Sequence, residues 1–132
     1  MERLFQPLPA PGDIVWCRFP ETIGVPGPKP RPALVLAVAP ADHAVIVVYG
    51  TSQKTHALYP TEFVLDPGDV NFAVSGLSLR TKFDMAHQVK VPFDADWFAV
   101  APGLVPNLPV PKLGILHPSY VRLAREAAAR RT

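Results

Sequence analysis

The chain has 132 residues, a length typical of one compact domain, and 48% of them are hydrophobic, which is enough to fill a core. Thirteen Lys and Arg against eleven Asp and Glu give a net charge of +2, which excludes a protein that binds nucleic acid through bulk positive charge alone. The single cysteine excludes an internal disulfide and a cysteine zinc site, and the four histidines show no ligand spacing, so we expect no metal and no cofactor.

The start of the chain has no basic segment followed by an apolar stretch, and no apolar run of about 18 residues occurs anywhere. We therefore expect a cytoplasmic protein with no membrane partner, and we interpret residues 1–132 as a single domain. The composition is unusual in its 17 prolines, which are spread along the whole chain. Because proline lacks an amide proton and restricts the residue before it, this distribution favours short strands and shaped loops over a helical bundle.

The first half of the sequence predicts three strands. A Pro-rich arm over residues 1–11 precedes Asp13–Phe19, which is rich in β-branched and aromatic residues and predicts a strand. Residues 20–31 contain too many Gly and Pro for a regular element and predict a long loop. The apolar runs 32–38 and 44–49 flank a short polar connection and predict a hairpin of buried strands.

The second half predicts shorter strands and one helix. Residues 61–65 predict a strand that ends at a turn over 66–69. Alternation over 85–91 predicts a half-buried strand with His87 on its inner face, in the core or in a dimer interface, and with Gln88 and Lys90 on the opposite face.

Residues 92–111 predict an ordered loop that packs Trp97, Phe98 and Leu104 on the core. A late strand is predicted at 113–116, and Pro118 begins a helix whose apolar positions recur at helical spacing. The apolar positions of that helix are Tyr120, Val121, Leu123, Ala124, Ala127 and Ala128. The order of elements predicts a small, strongly bent barrel with a C-terminal helix packed on it.

Several short motifs occur in a fixed order. They are Gly12-Asp13-Ile14-Val15-Trp16, the segment 31–36 (Arg-Pro-Ala-Leu-Val-Leu), Thr51-Ser52-Gln53, the segment 59–65 (Tyr-Pro-Thr-Glu-Phe-Val-Leu) and the segment 84–90 (Asp-Met-Ala-His-Gln-Val-Lys). With these motifs the sequence resembles the MazF/PemK (Kid) family of type II toxin-antitoxin toxins, from about Gly12 to Ala128.

The resemblance implies a mainly β fold, an SH3-like small barrel with a C-terminal helix, and a homodimer. It also implies a metal-independent, sequence-selective endoribonuclease, an mRNA interferase that cleaves single-stranded RNA and is silenced by a cognate antitoxin protein. In the family the arginine before the Pro-Ala/Val-Leu-Val strand, here Arg31, and the Thr or Ser after the third strand, here Thr51, form the catalytic pair.

The chemistry can also be argued from the residues. Metal-free RNA cleavage uses the 2′-hydroxyl as nucleophile, which requires a proton acceptor and a cation beside the phosphorane. Arg31 offers phosphate oxygens a rigid fork of donors, and it is a poor acid, so we expect it to stabilise charge. Thr51 or Ser52 could hydrogen-bond a phosphate oxygen or the 2′-hydroxyl, with Gln53 orienting either. The same three residues could equally form a polar turn that satisfies local backbone groups.

Between Gly24 and Arg31 the loop has no carboxylate, because residues 24–30 read Gly-Val-Pro-Gly-Pro-Lys-Pro, and His56 is the nearest candidate replacement in sequence order. The expected RNA-binding residues are Lys29, Ser52, Gln53, Lys54, His56, Gln88 and Lys90. Trp16 and Phe19 could stack on bases, although we expect both to be buried.

Two other functions remain open on the sequence. One is a gyrase poison of the CcdB type, which shares the barrel and needs no catalytic pair. The other is a catalytically degenerate barrel that acts as a binding or regulatory module, for example by holding a short acidic partner that folds on binding.

Overall fold

A single antiparallel sheet forms the body of the protein. The computed structural model describes residues 4–20, 24–100 and 111–130. The strands are β1 (Asp13–Cys17), β2 (Arg31–Ala39), β3 (Ala44–Thr51), β4 (Glu62–Leu65), β5 (Thr81–Pro92) and β6 (Lys112–Ile115), in the order β4-β5-β3-β2-β1-β6. One helix, α1 (Val121–Ala129), follows them, and short 3₁₀ turns lie at Pro40–Asp42, Ala73–Ser75 and Pro118–Tyr120. The prediction of a mainly β fold with a C-terminal helix is confirmed.

The sheet curls until its two ends approach each other, giving a half-barrel. The 3₁₀ turn that follows β4, at one end of the sheet, packs against β6 at the other end. This contact depends on two glycines, since a Cβ on Gly76 would overlap the carbonyl group of Leu113 and one on Gly114 would overlap the carbonyl of Val74. Gly76 also has a φ of 72°, in the left-handed region that favours glycine.

Each face of the sheet carries its own apolar core, because neighbouring residues of a strand point to opposite faces. Ile14 and Leu34 lie in a core that includes Ala124 and Ala127 of α1. The next residues along β1 and β2, Val15 and Val35, lie in a second core on the other face. That second core is closed by aromatic residues from outside the main strands, Phe5, Phe19, Phe93, Trp97 and Phe98.

The C-terminal helix begins and packs much as its sequence predicts. Pro118 lies in a 3₁₀ turn that leads into α1, and the Nδ1 atom of His117 accepts a hydrogen bond from the amide of Ser119 at 3.1 Å. Ala124 and Ala127 are buried against the sheet, but Leu123 is 46% exposed, so its assignment to the apolar face was wrong. At nine residues, α1 is too short to cross a membrane, and no other helix of the described ranges is long and apolar enough to do so.

Strand β5 is longer and less regular than its alternating sequence predicts. It already begins at Thr81, and its pairing with β3 shifts between the pairs Gly50–Phe83 and Val48–Gln88. Residues 84–87 of β5 therefore face Tyr49 alone on β3, and strict alternation is lost. The His87 side chain is 74% exposed, so it does not lie in the core, and of the two predicted places the dimer interface stays a prediction.

The long loops also agree with the sequence where they are described. Residues 20 and 24–30 form no helix and no extended strand. Phe98 is 1% exposed and Trp97 is half-buried in the second core, as predicted for the loop after β5. Leu104 lies outside the described residues.

Candidate functional site

A row of polar residues crosses the sheet at one end, where β2 leaves the long loop and β3 finishes. Ala33 pairs with Tyr49, and Arg31 and Thr51 lie two residues further along the same two strands. The strands stay adjacent there, because the carbonyl oxygen of Pro32 lies 3.0 Å from the position of a Cβ on Gly50. On the other side of Thr51 the pairing continues to Lys82 of β5. Arg31 and Thr51 therefore lie at the same end of two neighbouring strands, one at the start of β2 and the other at the end of β3.

Both residues of this pair line a cleft of about 450 Å³, here called the arginine cleft. Ser52 and the loop 76–79 also line the cleft. The other lining residues are Trp16, Pro30, Pro32, Gly50, Thr81 and Leu113. Arg31 is exposed at the start of β2, so its guanidinium is accessible to an anion that enters from solvent.

The Thr51 hydroxyl is held by its own turn. Its Oγ1 atom accepts a hydrogen bond from the amide of Gln53 at 3.0 Å. The local polar turn expected as one alternative is therefore present, and it fixes the position of the oxygen. The hydroxyl proton is not used in that bond, so Thr51 can still donate to a ligand.

Thr51 also lines a second cleft, of about 250 Å³, here called the histidine cleft. Its other lining residues are Tyr49, Gln53, Lys54, Glu62, Lys82, Asp84 and His87. Lys82 and Glu62 form an ion pair whose side chains are 8% and 7% exposed, with Nζ 3.1 Å from both carboxylate oxygens. Glu62 also accepts the amide of Tyr59 at 2.7 Å, and Lys82 donates to the carbonyl of Ala57 at 3.1 Å. This buried pair is fully hydrogen-bonded within the protein.

Asp84 and His87 form a looser pair in the same cleft. The Oδ1 atom of Asp84 accepts hydrogen bonds from the Thr61 hydroxyl at 2.8 Å and from the Ala86 amide at 2.9 Å. The Oδ2 atom of the same carboxylate faces His87, with 3.4 Å between Oδ2 and Nδ1. The carboxylate is thus held by Thr61, just before β4, and by the Ala86 amide of its own strand, while the His87 side chain is exposed.

The other RNA-binding candidates lie outside both clefts. Lys29 is exposed in the loop just before Arg31, and His56 is exposed in the segment between β3 and β4. Gln88 is exposed on β5 and donates a hydrogen bond to the carbonyl of Met85 at 3.3 Å. Lys90 pairs with Asp42 at 2.6 Å. The structure therefore brings Arg31, Thr51 and Ser52 together, and it places Gln53 and Lys54 beside them in the histidine cleft.

Sequence reasoning missed most of the residues around Thr51. Glu62, Lys82 and Asp84 were not candidates, because only the pairing of β4 with β5 brings them to the site. The one signal in the sequence was two charged residues, Lys82 and Asp84, separated by Phe83, a pattern that predicts a strand with one polar face.

Trp16, Cys17 and Phe19, in β1 and just after it, pack against other residues of the protein. Cys17 is completely buried, and burial raises the pKa of its thiol to about 12, which makes it unreactive. Phe19 packs on Tyr49 with 5.3 Å between ring centroids. Trp16 is half-buried at the arginine cleft, so the expectation of burial holds only partly for these two aromatic residues.

The fold is shared with solved toxin structures. A structure described as an endoribonuclease in complex with its cognate antitoxin, from a mycobacterial species, matches with a TM-score of 0.55 and 15% identity over 92% of this chain and 91% of that chain. A second mycobacterial endoribonuclease matches with a TM-score of 0.57 and 15% identity, over 95% and 91% of the two chains. The Mycobacterium tuberculosis toxin MazF-mt6 matches with a TM-score of 0.59 and 20% identity, over 89% and 92%.

Comparison of the sequence with known proteins identifies the family. A search of curated proteins finds no match to this sequence. Residues 10–90, which include β1 to β4 and most of β5, match the family model of PemK-like, MazF-like toxins. The match covers more than half of the chain and contains Arg31, Thr51 and both residues of the Asp84–His87 pair. The chain therefore belongs to the PemK-like, MazF-like toxins of type II toxin-antitoxin systems.

Proposed function

We propose that this toxin is a metal-independent endoribonuclease that cleaves single-stranded RNA at a short sequence, with Arg31 and Thr51 as its catalytic pair. The observation that supports the proposal is that Arg31 and Thr51, at the same end of the paired strands β2 and β3, line one open cleft. An arginine fork beside a fixed hydroxyl is an arrangement suited to a phosphodiester. The mycobacterial structures described as endoribonucleases add support from the shared fold.

In the proposed reaction the 2′-hydroxyl of the RNA attacks the adjacent phosphorus, and the bond to the 5′-oxygen of the next nucleotide breaks. The guanidinium of Arg31 stabilises the negative charge that builds on the phosphorane oxygens. Thr51, whose oxygen is held by Gln53, donates its hydroxyl proton in a hydrogen bond to a phosphate oxygen. The products are a 2′,3′-cyclic phosphate and a free 5′-hydroxyl.

The proposal extends to partners and to the remaining site residues. The toxin acts as a cytoplasmic homodimer and is held inactive by a cognate antitoxin, in line with the mycobacterial endoribonuclease that was solved with its antitoxin. Ser52, Gln53 and Lys54 contact the RNA next to the scissile phosphate. Lys29, His56, Gln88 and Lys90 contact more distant parts of the strand.

The test is cleavage of a long, unstructured RNA in EDTA by the folded protein, free of antitoxin. The parent is compared with Arg31→Ala and with Arg122→Ala, a control at an exposed arginine of α1 that lines neither cleft. We expect Arg31→Ala to lower the cleavage rate by about 100-fold to 1,000-fold, as for other donors to a developing oxyanion. Arg122→Ala should retain the parental rate. Mapping of the product ends shows whether cleavage is confined to one short sequence.

Other outcomes would contradict the proposal in different ways. Equal cleavage by the parent and by Arg31→Ala would place the active site elsewhere. A parent that is folded and leaves the RNA intact in EDTA would exclude a metal-independent ribonuclease. Gyrase inhibition and partner binding would then be the functions to assay.

A further inference from the structure

We propose that His87 is the general base of this toxin and that Asp84 positions it. The inference rests on the proposed ribonuclease function and names the group that accepts the proton of the 2′-hydroxyl. Thr51 lines both clefts, so a phosphate bound between Arg31 and Thr51 lies at the border of the histidine cleft. The side chain of His87 is exposed in that cleft and remains accessible to RNA.

The catalytic pair itself lacks a proton acceptor. An arginine stays protonated at any pH at which the protein is folded, and a threonine hydroxyl is a weak base. The loop residues 24–30 contain no Asp, Glu or His. Proton transfer to a positioned side chain is the usual way to activate a hydroxyl nucleophile, and among the described residues the titratable groups next to Thr51 are those of the histidine cleft.

The other titratable groups of the histidine cleft fit this role poorly. Glu62 is paired with Lys82 at 3.1 Å, and both side chains are buried. The ammonium group of Lys54 has three donors and no acceptor, and Tyr49 carries a phenol hydroxyl in place of a carboxylate or an imidazole. The Oδ1 atom of Asp84 is occupied by the Thr61 hydroxyl and the Ala86 amide. His87 is the histidine of this cleft, and histidine is the residue type that commonly accepts and releases protons near neutral pH.

Asp84 has the geometry of an orienting group. Two hydrogen bonds fix its Oδ1 atom, and its Oδ2 atom lies 3.4 Å from Nδ1 of His87. A carboxylate at this position favours the proton on Nδ1 and leaves Nε2 as the acceptor that faces solvent. Such contacts are often long in a free enzyme and shorten when the substrate binds.

The proposed step balances. Nε2 of His87 takes the proton of the 2′-hydroxyl as the new O2′–P bond forms, and the P–O5′ bond breaks. The leaving 5′-oxygen takes a proton from water. The imidazolium, stabilised by Asp84, then returns its proton to solvent, so that the enzyme is regenerated without any other reactant.

The experiment measures the pH dependence of RNA cleavage in EDTA under single-turnover conditions. The variants are His87→Gln, Arg31→Ala, and His117→Asn as a matched control at a histidine outside both clefts. The asparagine introduced by the control substitution keeps a side-chain acceptor for the Ser119 amide that His117 now binds. Because His87 is exposed, His87→Gln should fold like the parent, and thermal unfolding verifies this.

We expect His87→Gln to be slower by about 100-fold, the lower end of the usual effect of general base catalysis. The parental rate should fall as the pH is lowered from about 8 to about 5, as a histidine base becomes protonated, and the variant should lose this fall. His117→Asn should behave like the parent. If Arg31→Ala is inactive while His87→Gln keeps the parental rate and pH profile, the role of His87 is refuted and the ribonuclease function stands. If the parent itself does not cleave, the proposed function is refuted and this inference with it.

The role of Asp84 has a separate readout. Asp84→Asn keeps the Oδ1 acceptor for Thr61 and Ala86 and changes only the atom that faces His87. We expect kcat to fall at least about tenfold with KM unchanged, since orientation of the base affects the chemical step and leaves RNA binding intact. An increase in KM at constant kcat would instead show that Asp84 acts on RNA binding, which would refute the positioning role.

Discussion

At the scale of single residues, the Lys82–Glu62 pair stands out because two opposite charges are buried together in the cleft that Thr51 lines. Loss of one partner leaves the other charge buried without compensation, which costs about 3–5 kcal/mol. We expect Lys82→Met to lower the free energy of unfolding by about 3 kcal/mol. Urea unfolding followed by circular dichroism measures the change.

The matched control for this substitution lies on the same strand. Lys90 also pairs with a carboxylate, Asp42, but its side chain is 51% exposed and that of its partner 61%. Lys90→Met should therefore change the free energy of unfolding by less than about 1 kcal/mol, as for other surface ion pairs. If the free energy of unfolding falls equally in the two variants, burial does not determine how much each ion pair contributes to stability.

The proposed catalytic pair and the proposed base differ in how far sequence could predict them. The motifs around Arg31 and Thr51 made these residues candidates, and the pairing of β2 with β3 explains why two residues twenty positions apart line one cleft. His87 was assigned to the inner face of β5, in the core or in a dimer interface, because alternation assumes an unbroken strand. The pairing with β3 shifts between Phe83 and Gln88, so the strand is not regular there. No single residue type in this segment indicates the shift.

At the scale of elements, the contact between β6 and the turn at Ala73–Ser75 shapes the arginine cleft. Leu113 of β6 and residues 76–79 line that cleft, and Gly114 lets the two segments touch. A side chain at position 114 would press on the carbonyls of Val74 and Ser75, and overpacking of this kind costs about 1–3 kcal/mol. We expect Gly114→Ala to be destabilised by this amount and to cleave RNA more slowly, as measured by urea unfolding and by cleavage in EDTA.

Gly68→Ala provides the control for that substitution. Gly68 is exposed in the turn after β4, and a Cβ there would approach only the Asp66 side chain, at 3.3 Å. Its stability and activity should stay close to those of the parent. A Gly114→Ala variant with parental stability would show that the ends of the sheet need no close approach.

The elements themselves were predicted better than their contacts. All six strands and the helix follow from hydrophobic pattern and from the positions of Gly and Pro, with differences of a few residues at most ends. Sequence reasoning missed the start of β5 at Thr81. Residues 81–84 include two charged side chains, Lys82 and Asp84, and such a segment fits a strand only if one face of the strand is polar. The contact of Gly114 with the turn after β4 depends on the curl of the sheet, which no local pattern encodes.

At the scale of the whole molecule, the two cores share the same strands. Ile14 and Leu34 belong to one core while their neighbours Val15 and Val35 belong to the other, so neither core can open while the strands remain paired. The protein should therefore unfold as one cooperative unit. Cys17 reports on this directly, because it is the only cysteine, is completely buried in the second core and has a pKa raised by burial to about 12.

The test damages one core and observes the other. Leu65 of β4 is completely buried in the core that contacts α1, and Leu65→Ala should cost at least about 2 kcal/mol. If opening is global, the rate at which a thiol reagent labels Cys17 rises with the unfolded fraction, by about 30-fold for 2 kcal/mol. A variant that is less stable in urea but labels at the parental rate would show that the two cores open independently. Concerted opening would mean that the sheet transmits a loss of stability from α1 to the strands that hold Arg31 and Thr51.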